Sequence, residues 1–332
     1  MTMTWQGRRV LVTGADGFIG SHLTEALVAA GADVRAFCLY NSSGSLGMLD
    51  SVPRPTRAAL DVRLGDIRDA RFVEHACDRI EVVFHLAALI AIPYSYQAPE
   101  SFVDTNVRGT LHVLEAARRA GCTRVVQTST SEVYGTPDVI PIRETHPLHG
   151  QSPYSATKIA ADKLCEAYHC SFGVPVVTLR PFNTYGPRQS ARAIIPAVLA
   201  QLLAGRTELH VGNLEPRRDL TYVADTVDGF LRAGLAPGIE GDTIHLGTGR
   251  SDSIGDVIRT AMHVTGRTAT LTQDPARMRP AASEVMVLQS DPAKAAERLG
   301  WSAGTSLERG LARTAEWVAA NLERFRPDEY VV

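Results

Sequence analysis

The feature that most constrains the fold is a regular alternation of short apolar segments with helical patterns through the first half of the chain. Strands that alternate with helices form a parallel sheet covered by helices on both faces. The sequence therefore predicts an α/β protein with a doubly wound parallel sheet. The expected strands are Val10–Thr13, Asp33–Leu39, Arg57–Leu64, Glu81–Leu86, Arg124–Thr128 and Val174–Arg180, and the expected helices are Ser21–Ala30, Ala70–Cys77, Ser101–Ala120 and Pro153–Phe172.

The second half of the chain departs from this alternation and predicts a second domain. From Phe182 onward the pattern is irregular and richer in proline and arginine, but Asp219–Gly247 again reads as a helix followed by a strand. We therefore expect residues 1–182 and 219–250 to form a Rossmann-like dinucleotide-binding domain. Residues 183–218 and 251–332 are expected to form a smaller, interleaved C-terminal domain for the substrate.

Composition narrows the class of partner. Lys+Arg number 34 against 36 Asp+Glu, which gives a net charge of -2 and no basic field for nucleic acid. No segment has the length of apolar sequence that a membrane span needs, and Met1–Gly7 does not resemble a signal peptide. The 5 cysteines lack CxxC spacing, so we expect free thiols, no bound metal and a cytoplasmic protein. The near-neutral charge favours a small-molecule substrate.

A glycine-rich loop follows the first strand. The segment Gly14-Ala-Asp-Gly17-Phe18-Ile19-Gly20 lies between this strand and the expected Ser21–Ala30 helix, and a loop in this position lets backbone N–H groups approach a pyrophosphate. A tight turn that binds nothing is the alternative. The sequence after the second strand carries neither a carboxylate nor an arginine, so the choice between NAD and NADP stays open.

Two residues at helical spacing suggest proton transfer. Tyr154 and Lys158 stand at i and i+4 and share one face of the Pro153–Phe172 helix. A phenol has an ordinary pKa near 10, and a neighbouring cation favours its ionised form. The pair therefore predicts a Tyr154 that exchanges a proton with a sugar or alcohol hydroxyl, whereas a solvated surface pair is the alternative.

The fifth strand ends in a run of polar residues. The carboxyl end of such a strand faces the ligand crevice, where Thr130 is able to hydrogen-bond the reacting hydroxyl. Glu132 is a carboxylate that hydride transfer alone does not need, which favours removal of a proton beside an oxidised carbon. A Glu132 that only caps the next turn is the alternative.

These motifs, in their order along the chain, resemble the extended short-chain dehydrogenase/reductases that modify nucleotide sugars. The resemblance rests on the glycine loop, His85-Leu-Ala-Ala, Ser129-Thr-Ser-Glu-Val-Tyr-Gly and Tyr154-x-x-x-Lys158, and it spans nearly the whole chain. Thr-Ser-Glu is similar to the motif of GDP-mannose 4,6-dehydratases and UDP-glucuronate decarboxylases. The sequence around these motifs is similar to that of 4,6-dehydratases of legionaminic-acid-type pathways.

The resemblance implies a cofactor, a substrate and an assembly. It implies NAD, with NADP as the alternative, a nucleoside-diphosphate sugar, and a homodimer formed through the helices around Ser101–Ala120 and Pro153–Phe172. The candidate cofactor-binding residues are Gly14, Gly17, Phe18, Ile19, Gly20, Asn41, Ser42, Asp66, Ile67, Leu86, Ala87, Ala88, Tyr154, Lys158 and Pro181. The candidate substrate-binding residues are Ser95, Ser131, Asn183, Arg192, Arg218 and Arg279.

The predicted reaction is the conversion of a nucleotide hexose to its 4-keto-6-deoxy form. Thr130, Glu132, Tyr154 and Lys158 are the expected catalytic residues. Related thymidine-diphosphoglucose dehydratases carry an aspartate where this chain has Ser131, so the acid at C6 is unassigned here, or is Glu132 itself. Nucleotide-uronate decarboxylation, 4-epimerisation and a non-catalytic dinucleotide-binding role are the alternatives.

Overall fold

The structure is a computed structural model that describes residues 4–278 and 280–327. Fourteen strands and twelve α-helices are labelled in chain order. The strands are β1 (Arg9–Thr13), β2 (Asp33–Leu39), β3 (Asp61–Gly65), β4 (Val82–His85), β5 (Arg124–Thr128), β6 (Val176–Pro181), β7 (Thr184–Tyr185), β8 (Glu208–Val211), β9 (Arg217–Arg218), β10 (Thr221–Tyr222), β11 (Thr243–Leu246), β12 (Asp252–Ser253), β13 (Thr270–Gln273) and β14 (Val287–Leu288). The helices are α1 (Phe18–Ala29), α2 (Arg54–Ala58), α3 (Ala70–Cys77), α4 (Ile92–Gln97), α5 (Pro99–Phe102), α6 (Gly109–Ala120), α7 (Pro153–Phe172), α8 (Ile194–Leu203), α9 (Val223–Leu235), α10 (Ile254–Thr265), α11 (Ala293–Leu299) and α12 (Leu307–Ala320).

A seven-stranded sheet forms the centre of the molecule. Its strand order is β11-β6-β5-β4-β1-β2-β3, and every neighbouring pair is parallel. The order reverses between β1 and β4, and ligands of such sheets bind in the crevice at the carboxyl ends of the strands beside this reversal. The predicted α/β fold with a Rossmann-like parallel sheet is confirmed.

The chain returns to the sheet late in the sequence. β11 pairs in parallel with β6, with Thr243 opposite Thr178 and Leu246 opposite Pro181. The segments on either side of β11 carry α8, α10 and α12, which pack on one another beyond the sheet. One apolar core runs from β1 and α1 through α9 to α8, α10 and α12, so both parts of the chain are buried against each other. The exact boundaries of the two domains stay a prediction.

Two predicted elements differ from the structure. The strand expected at Arg57–Leu64 begins only at Asp61, because Pro55 lies in the first turn of α2 and the fixed φ of proline favours a helix start there. The single helix expected at Ser101–Ala120 is three pieces, since a π-helical segment, Val103–Arg108, separates α5 from α6. α6 does end at Gly121, which adopts φ +66°.

Within residues 4–278 and 280–327, no helix has both the length and the apolar character that crossing a bilayer requires. All 5 cysteines are free thiols, and only Cys170 is exposed.

Candidate active site

The glycine loop lies against the segment that follows β4. Gly14 adopts φ +69°, and a Cβ on Gly14 would lie 2.8 Å from the backbone nitrogen of Ala87. A Cβ on Gly20 would overlap the carbonyl oxygen of Gly14. Only glycine therefore fits at either position. α1 begins after Gly17 with no side-chain cap and no acid in its first turn, so its N-terminal N–H groups are suited to a pyrophosphate.

A hydrogen-bonded chain behind the loop fixes its partner segment. The Thr13 hydroxyl accepts from the backbone N–H groups of Leu86 and Ala87, each at 3.2 Å, and lies 2.8 Å from Nδ1 of His85. Nε2 of His85 lies 3.1 Å from the Thr110 hydroxyl. Burial, together with the positive charge of Lys158, lowers the pKa of His85 to about 3, so the ring is neutral at pH 7. Thr13 is a site residue that the sequence reasoning missed.

The predicted adenosine-binding residues lie at the carboxyl ends of β2 and β3. The side chain of Asn41 stabilises the turn in which it lies: its amide nitrogen donates to the Ser45 carbonyl at 2.8 Å, and its amide oxygen accepts from the Ser43 hydroxyl at 2.6 Å. Ser42 is exposed. Asp66 forms an ion pair with Arg68 at 2.6 Å, and the hydrogen bond from Arg68 lowers the pKa of the Asp66 carboxyl. Ile67, Ala88 and Pro181 follow or end strands β3, β4 and β6 at the same edge of the sheet.

α7 carries the predicted proton-transfer pair. Ser152 caps its first turn in a capping box with Ser155, and Pro153 lies at its start. Tyr154 and Lys158 are 7% and 5% exposed. Nζ of Lys158 donates to the backbone carbonyl of Thr128, at the end of β5, at 2.6 Å. The two residues therefore face the crevice side of the sheet, as the spacing predicts.

The pKa of Tyr154 shifts in the opposite direction to the one expected from the sequence. Burial raises the pKa of the phenol, and the negative charges of Glu132 and Asp162 add to that shift, whereas a hydrogen bond from Thr130 opposes it. Lys158 does not offset the shift, because its ammonium is directed at the Thr128 carbonyl and burial lowers its own pKa. In the protein without a bound dinucleotide, burial, assisted by the two carboxylates, thus favours the protonated form of Tyr154.

The polar run after β5 forms a single turn of 3-10 helix, Ser131–Tyr134. The Thr130 hydroxyl caps this turn by accepting from the Glu132 N–H at 3.2 Å, and it also hydrogen-bonds Tyr154. Ser131 is 2% exposed, whereas Glu132 is partly exposed. Thr130, Glu132 and Tyr154 are therefore neighbours across the β5 end and the start of α7.

Asn106 positions the segment that follows β4 and was not found from the sequence. Its amide oxygen accepts from the Leu89 N–H at 2.8 Å, and its amide nitrogen donates to the Leu89 carbonyl at 2.9 Å and to the Thr157 hydroxyl at 3.0 Å. Asn106 lies within the π-helical segment, and such segments are frequent at functional sites. The sequence offers no local signal for it, since its two partner residues, Leu89 and Thr157, come from distant segments.

A buried ion pair lies behind Lys158. Asp162, one helical turn after Lys158, accepts from Nη2 of Arg180 at 2.9 Å and from the Ser129 hydroxyl at 2.8 Å. Both side chains of the ion pair are 5% exposed. Arg180 also donates to the Tyr134 hydroxyl at 2.6 Å. The negative charge of Asp162 raises the pKa of Lys158, against the larger effect of burial.

A cavity of about 580 Å³ opens beside this site. Among the residues that line it are three predicted substrate-binding residues, Asn183, Arg192 and Arg218. Oδ1 of Asn183 is buried with no hydrogen-bond partner among the described residues. Arg218 is 6% exposed and its guanidinium lies 3.2 Å from a carboxylate oxygen of Glu284. Lining residues that the sequence reasoning missed include Tyr96, Gln189, Asn213, Arg277 and Glu284.

Of the three other predicted substrate-binding residues, Ser131 lies in the turn after β5, and Ser95 is not among the described residues that line the cavity. Ser95 is fully buried, and its hydroxyl donates to the Ile92 carbonyl at 2.6 Å. Its neighbour on α4, Tyr96, lines the cavity instead and hydrogen-bonds Ser283 at 2.6 Å. Arg279 lies outside the described residues. Substrate contacts of Ser95 and Arg279 stay predictions.

The arrangement defines a class of protein: a dinucleotide-binding α/β enzyme with a Thr-Tyr-Lys set at the sheet edge and an arginine-lined cavity beside it. Comparison with known proteins identifies the family. Residues 11–314 match the GDP-mannose 4,6 dehydratase family. The chain belongs to this family, within the extended short-chain dehydrogenase/reductases that dehydrate or epimerise nucleotide sugars.

Three relatives illustrate the range of the family. A UDP-glucose 4-epimerase of Mycolicibacterium smegmatis is 35% identical over 93% of this chain and 98% of its own length. The dTDP-glucose 4,6-dehydratase DesIV of Streptomyces venezuelae, solved with NAD bound, superposes with a TM-score of 0.85 at 31% identity over 96% of this chain and 99% of its own. The NAD-dependent NDP-hexosamine 5,6-dehydratase TunA superposes with a TM-score of 0.82 at 31% identity over 97% of this chain and 100% of its own.

Proposed function

We propose that the protein is a nucleotide-sugar 4,6-dehydratase that converts a nucleoside-diphosphate hexose to the 4-keto-6-deoxy sugar. The observation that carries the proposal is a second acid-base group, Glu132, on the turn that begins at Thr130, whose hydroxyl hydrogen-bonds Tyr154. Oxidation at C4 alone needs one proton acceptor, and the dehydration needs a further one at C5. The structural similarity to DesIV, a dTDP-glucose 4,6-dehydratase, also supports this activity.

NAD is the proposed cofactor, and the residues present fit it. Gly14, Gly17 and Gly20 leave room for a pyrophosphate at the start of α1, while Leu86 and Ala87 line the opposite side of the crevice. Bound NAD would supply an acceptor for the C4 hydride and a donor of that hydride to C6, and it would be regenerated in each turnover.

The proposed proton transfers use this chain's own side chains. Tyr154 takes the proton of the C4 hydroxyl as a phenolate, the form that the positive charge of a bound nicotinamide would favour, and Thr130 and Lys158 hold the geometry for that transfer. The resulting 4-ketone acidifies C5–H, Glu132 removes the C5 proton, and the C6 hydroxyl leaves with a proton as water. After hydride addition at C6, a proton returns to C5, and the net change is the loss of one water.

The proposal is tested by incubating the purified protein with GDP-, UDP- and dTDP-hexoses, and with a nucleotide uronate, and following the mass of the sugar nucleotide. Loss of one water from one member of the panel is the expected result. Loss of carbon dioxide from a nucleotide uronate would establish decarboxylation instead. An unchanged mass with a new sugar would establish 4-epimerisation, the second candidate, which the similarity to the Mycolicibacterium epimerase favours.

A matched pair of variants tests the role of Glu132. We expect Glu132→Gln to slow water loss by about 10²–10⁴-fold while substrate still binds, because the general base at C5 is removed. Glu166→Gln, which changes an exposed carboxylate paired with Lys163 on the outer part of α7, is the control and should leave turnover unchanged. Undiminished water loss in Glu132→Gln would show that another residue is the base.

We further propose a homodimer formed through α6 and α7, with the nucleotide sugar as its substrate. Phe172 at the end of α7 is 57% exposed and packs against Arg118 of α6, which leaves an apolar ring on the outer face of this helix pair. Light scattering coupled to size exclusion should report twice the mass of the chain. Phe172→Glu should shift that mass toward the monomer.

A further inference from the structure

The end of β2 lacks the acid that NAD-binding sheets usually carry there. Such an acid hydrogen-bonds the 2′-hydroxyl of the adenosine ribose. Here β2 ends at Leu39, followed by Tyr40, and both side chains are exposed. The Asn41 amide is occupied by its own turn, where it contacts Ser43 and Ser45. The strand itself therefore supplies no charged group to the ribose position.

A carboxylate from the glycine loop lies at this position instead. Oδ2 of Asp16 accepts from the backbone N–H of Leu39 at 3.2 Å. The loop is held over the strand end, since the N–H of Gly14 donates to the Phe37 carbonyl at 3.0 Å. The carbonyl of Asp16 in turn accepts from the Met48 N–H at 2.9 Å, which ties the segment after β2 to the same residue.

The Asp16 carboxylate has acceptor capacity left for a ligand. A carboxylate offers about four lone-pair positions, of which the Leu39 N–H occupies one. Burial raises the pKa of Asp16, and the Leu39 hydrogen bond opposes that shift. A carboxylate between the pyrophosphate loop and the β2 end lies where the two ribose hydroxyls of a bound dinucleotide would be.

We propose that Asp16 takes the place of the missing strand-end acid: it accepts the adenosine ribose hydroxyls and selects NAD over NADP. This inference rests on the proposed function, which requires a dinucleotide in the crevice. A 2′-phosphate at the same position would lie against the Asp16 carboxylate, and two negative charges in a half-buried site repel each other.

The surroundings offer little to offset that repulsion. Residues 39–53 contain no lysine or arginine. Arg57 lies 3.6 Å from Asp50, and Asp50 accepts from the Leu46 N–H at 3.0 Å within the loop. Arg68, at the end of the adjacent β3, has its guanidinium on Asp66 at 2.6 Å. Arg57 and Arg68 are therefore each already paired with a carboxylate.

The test is a competition between the two dinucleotides on the intact protein. The protein is equilibrated with equal excesses of NAD and NADP, freed of unbound nucleotide and denatured, and the released nucleotides are quantified by mass spectrometry. We expect the wild type to hold NAD in about 100-fold preference. Asp16→Asn should reduce that preference by about 10-fold or more, because it removes the charge while its amide oxygen still accepts from Leu39.

Controls separate this inference from the cofactor assignment itself. Asp33→Asn removes an exposed carboxylate at the opposite end of the same strand and should leave the ratio unchanged. Asp16→Ser, checked for folding by circular dichroism, should behave as Asp16→Asn does. An unchanged ratio in both Asp16 variants, or equal binding of NAD and NADP by the wild type, would overturn the role of Asp16 and leave the dehydratase proposal standing. Binding of neither dinucleotide would overturn both.

Discussion

Removal of the charge at Asp162 should destabilise the protein and perturb its active site together. Asp162 and Arg180 form an ion pair in which both side chains are 5% exposed. Oδ2 of Asp162 accepts from Nε and Nη2 of Arg180, at 3.1 and 2.9 Å, and from the Ser129 hydroxyl at 2.8 Å. In Asp162→Asn the guanidinium stays buried and keeps the Tyr134 hydroxyl as a neutral partner.

The expected loss of unfolding free energy follows from the burial of this ion pair. Breaking a buried ion pair by neutralising one partner costs about 3–5 kcal/mol, because an uncompensated charge is left inside. The retained amide oxygen still accepts a hydrogen bond, which places Asp162→Asn near the lower end, at about 3 kcal/mol. At about 2–4 °C per kcal/mol for a chain of this size, Tm should fall by about 6–12 °C.

The assay compares the thermal unfolding of the wild type, Asp162→Asn and a double variant. The double variant Asp162→Leu/Arg180→Met replaces the pair by apolar side chains and should recover most of the lost Tm, since buried ion pairs are often replaced at little cost. A double variant less stable than Asp162→Asn, or a single variant that loses under about 1 kcal/mol, would refute the reasoning.

The same variant carries a catalytic readout. The negative charge of Asp162 raises the pKa of Lys158, so Asp162→Asn should lower that pKa further. The pH at which activity is lost on the alkaline side should then move down relative to the wild type. An unmoved alkaline limit would show that the ammonium of Lys158 is not required in its charged form.

The remaining predictions concern single residues. Tyr154→Phe should reduce turnover by about 10²–10⁴-fold while nucleotide-sugar affinity measured by calorimetry is retained. Gly20→Ala should abolish dinucleotide binding in a mass-spectrometric assay of bound nucleotide, because its Cβ would overlap the Gly14 carbonyl oxygen. His85 has a folded pKa lowered to about 3, so the folded state binds fewer protons than the unfolded state below pH 6.5 and stability falls with acidification. Between about pH 6 and pH 4, the unfolding free energy of the wild type should fall by about 1.4 kcal/mol per pH unit more than that of His85→Gln in urea titrations.

The local patterns of the chain were sufficient for most of the fold. The alternation of apolar and helical segments predicts the parallel sheet, and the strand at Thr243–Leu246 predicts the return of the chain to it. The Arg57–Leu64 strand was mispredicted at its start because Pro55 permits a helix start that apolar spacing does not reveal. The π-helical segment at Val103–Arg108 was missed for a similar reason, since helical spacing does not distinguish an α-turn from a π-turn.

The sequence by itself determined which groups lie next to one another along one element: the glycines at the start of α1, Tyr154 and Lys158 on α7, and Thr130 and Glu132 after β5. Periodicity is a local property, and residues within a few positions share a face whatever the rest of the chain does. Only the tertiary structure decided the contacts between distant segments. It brings Asp16 to the end of β2, Asn106 to Leu89, and Glu284 to Arg218, because such contacts depend on strand order and on loops that no local pattern encodes.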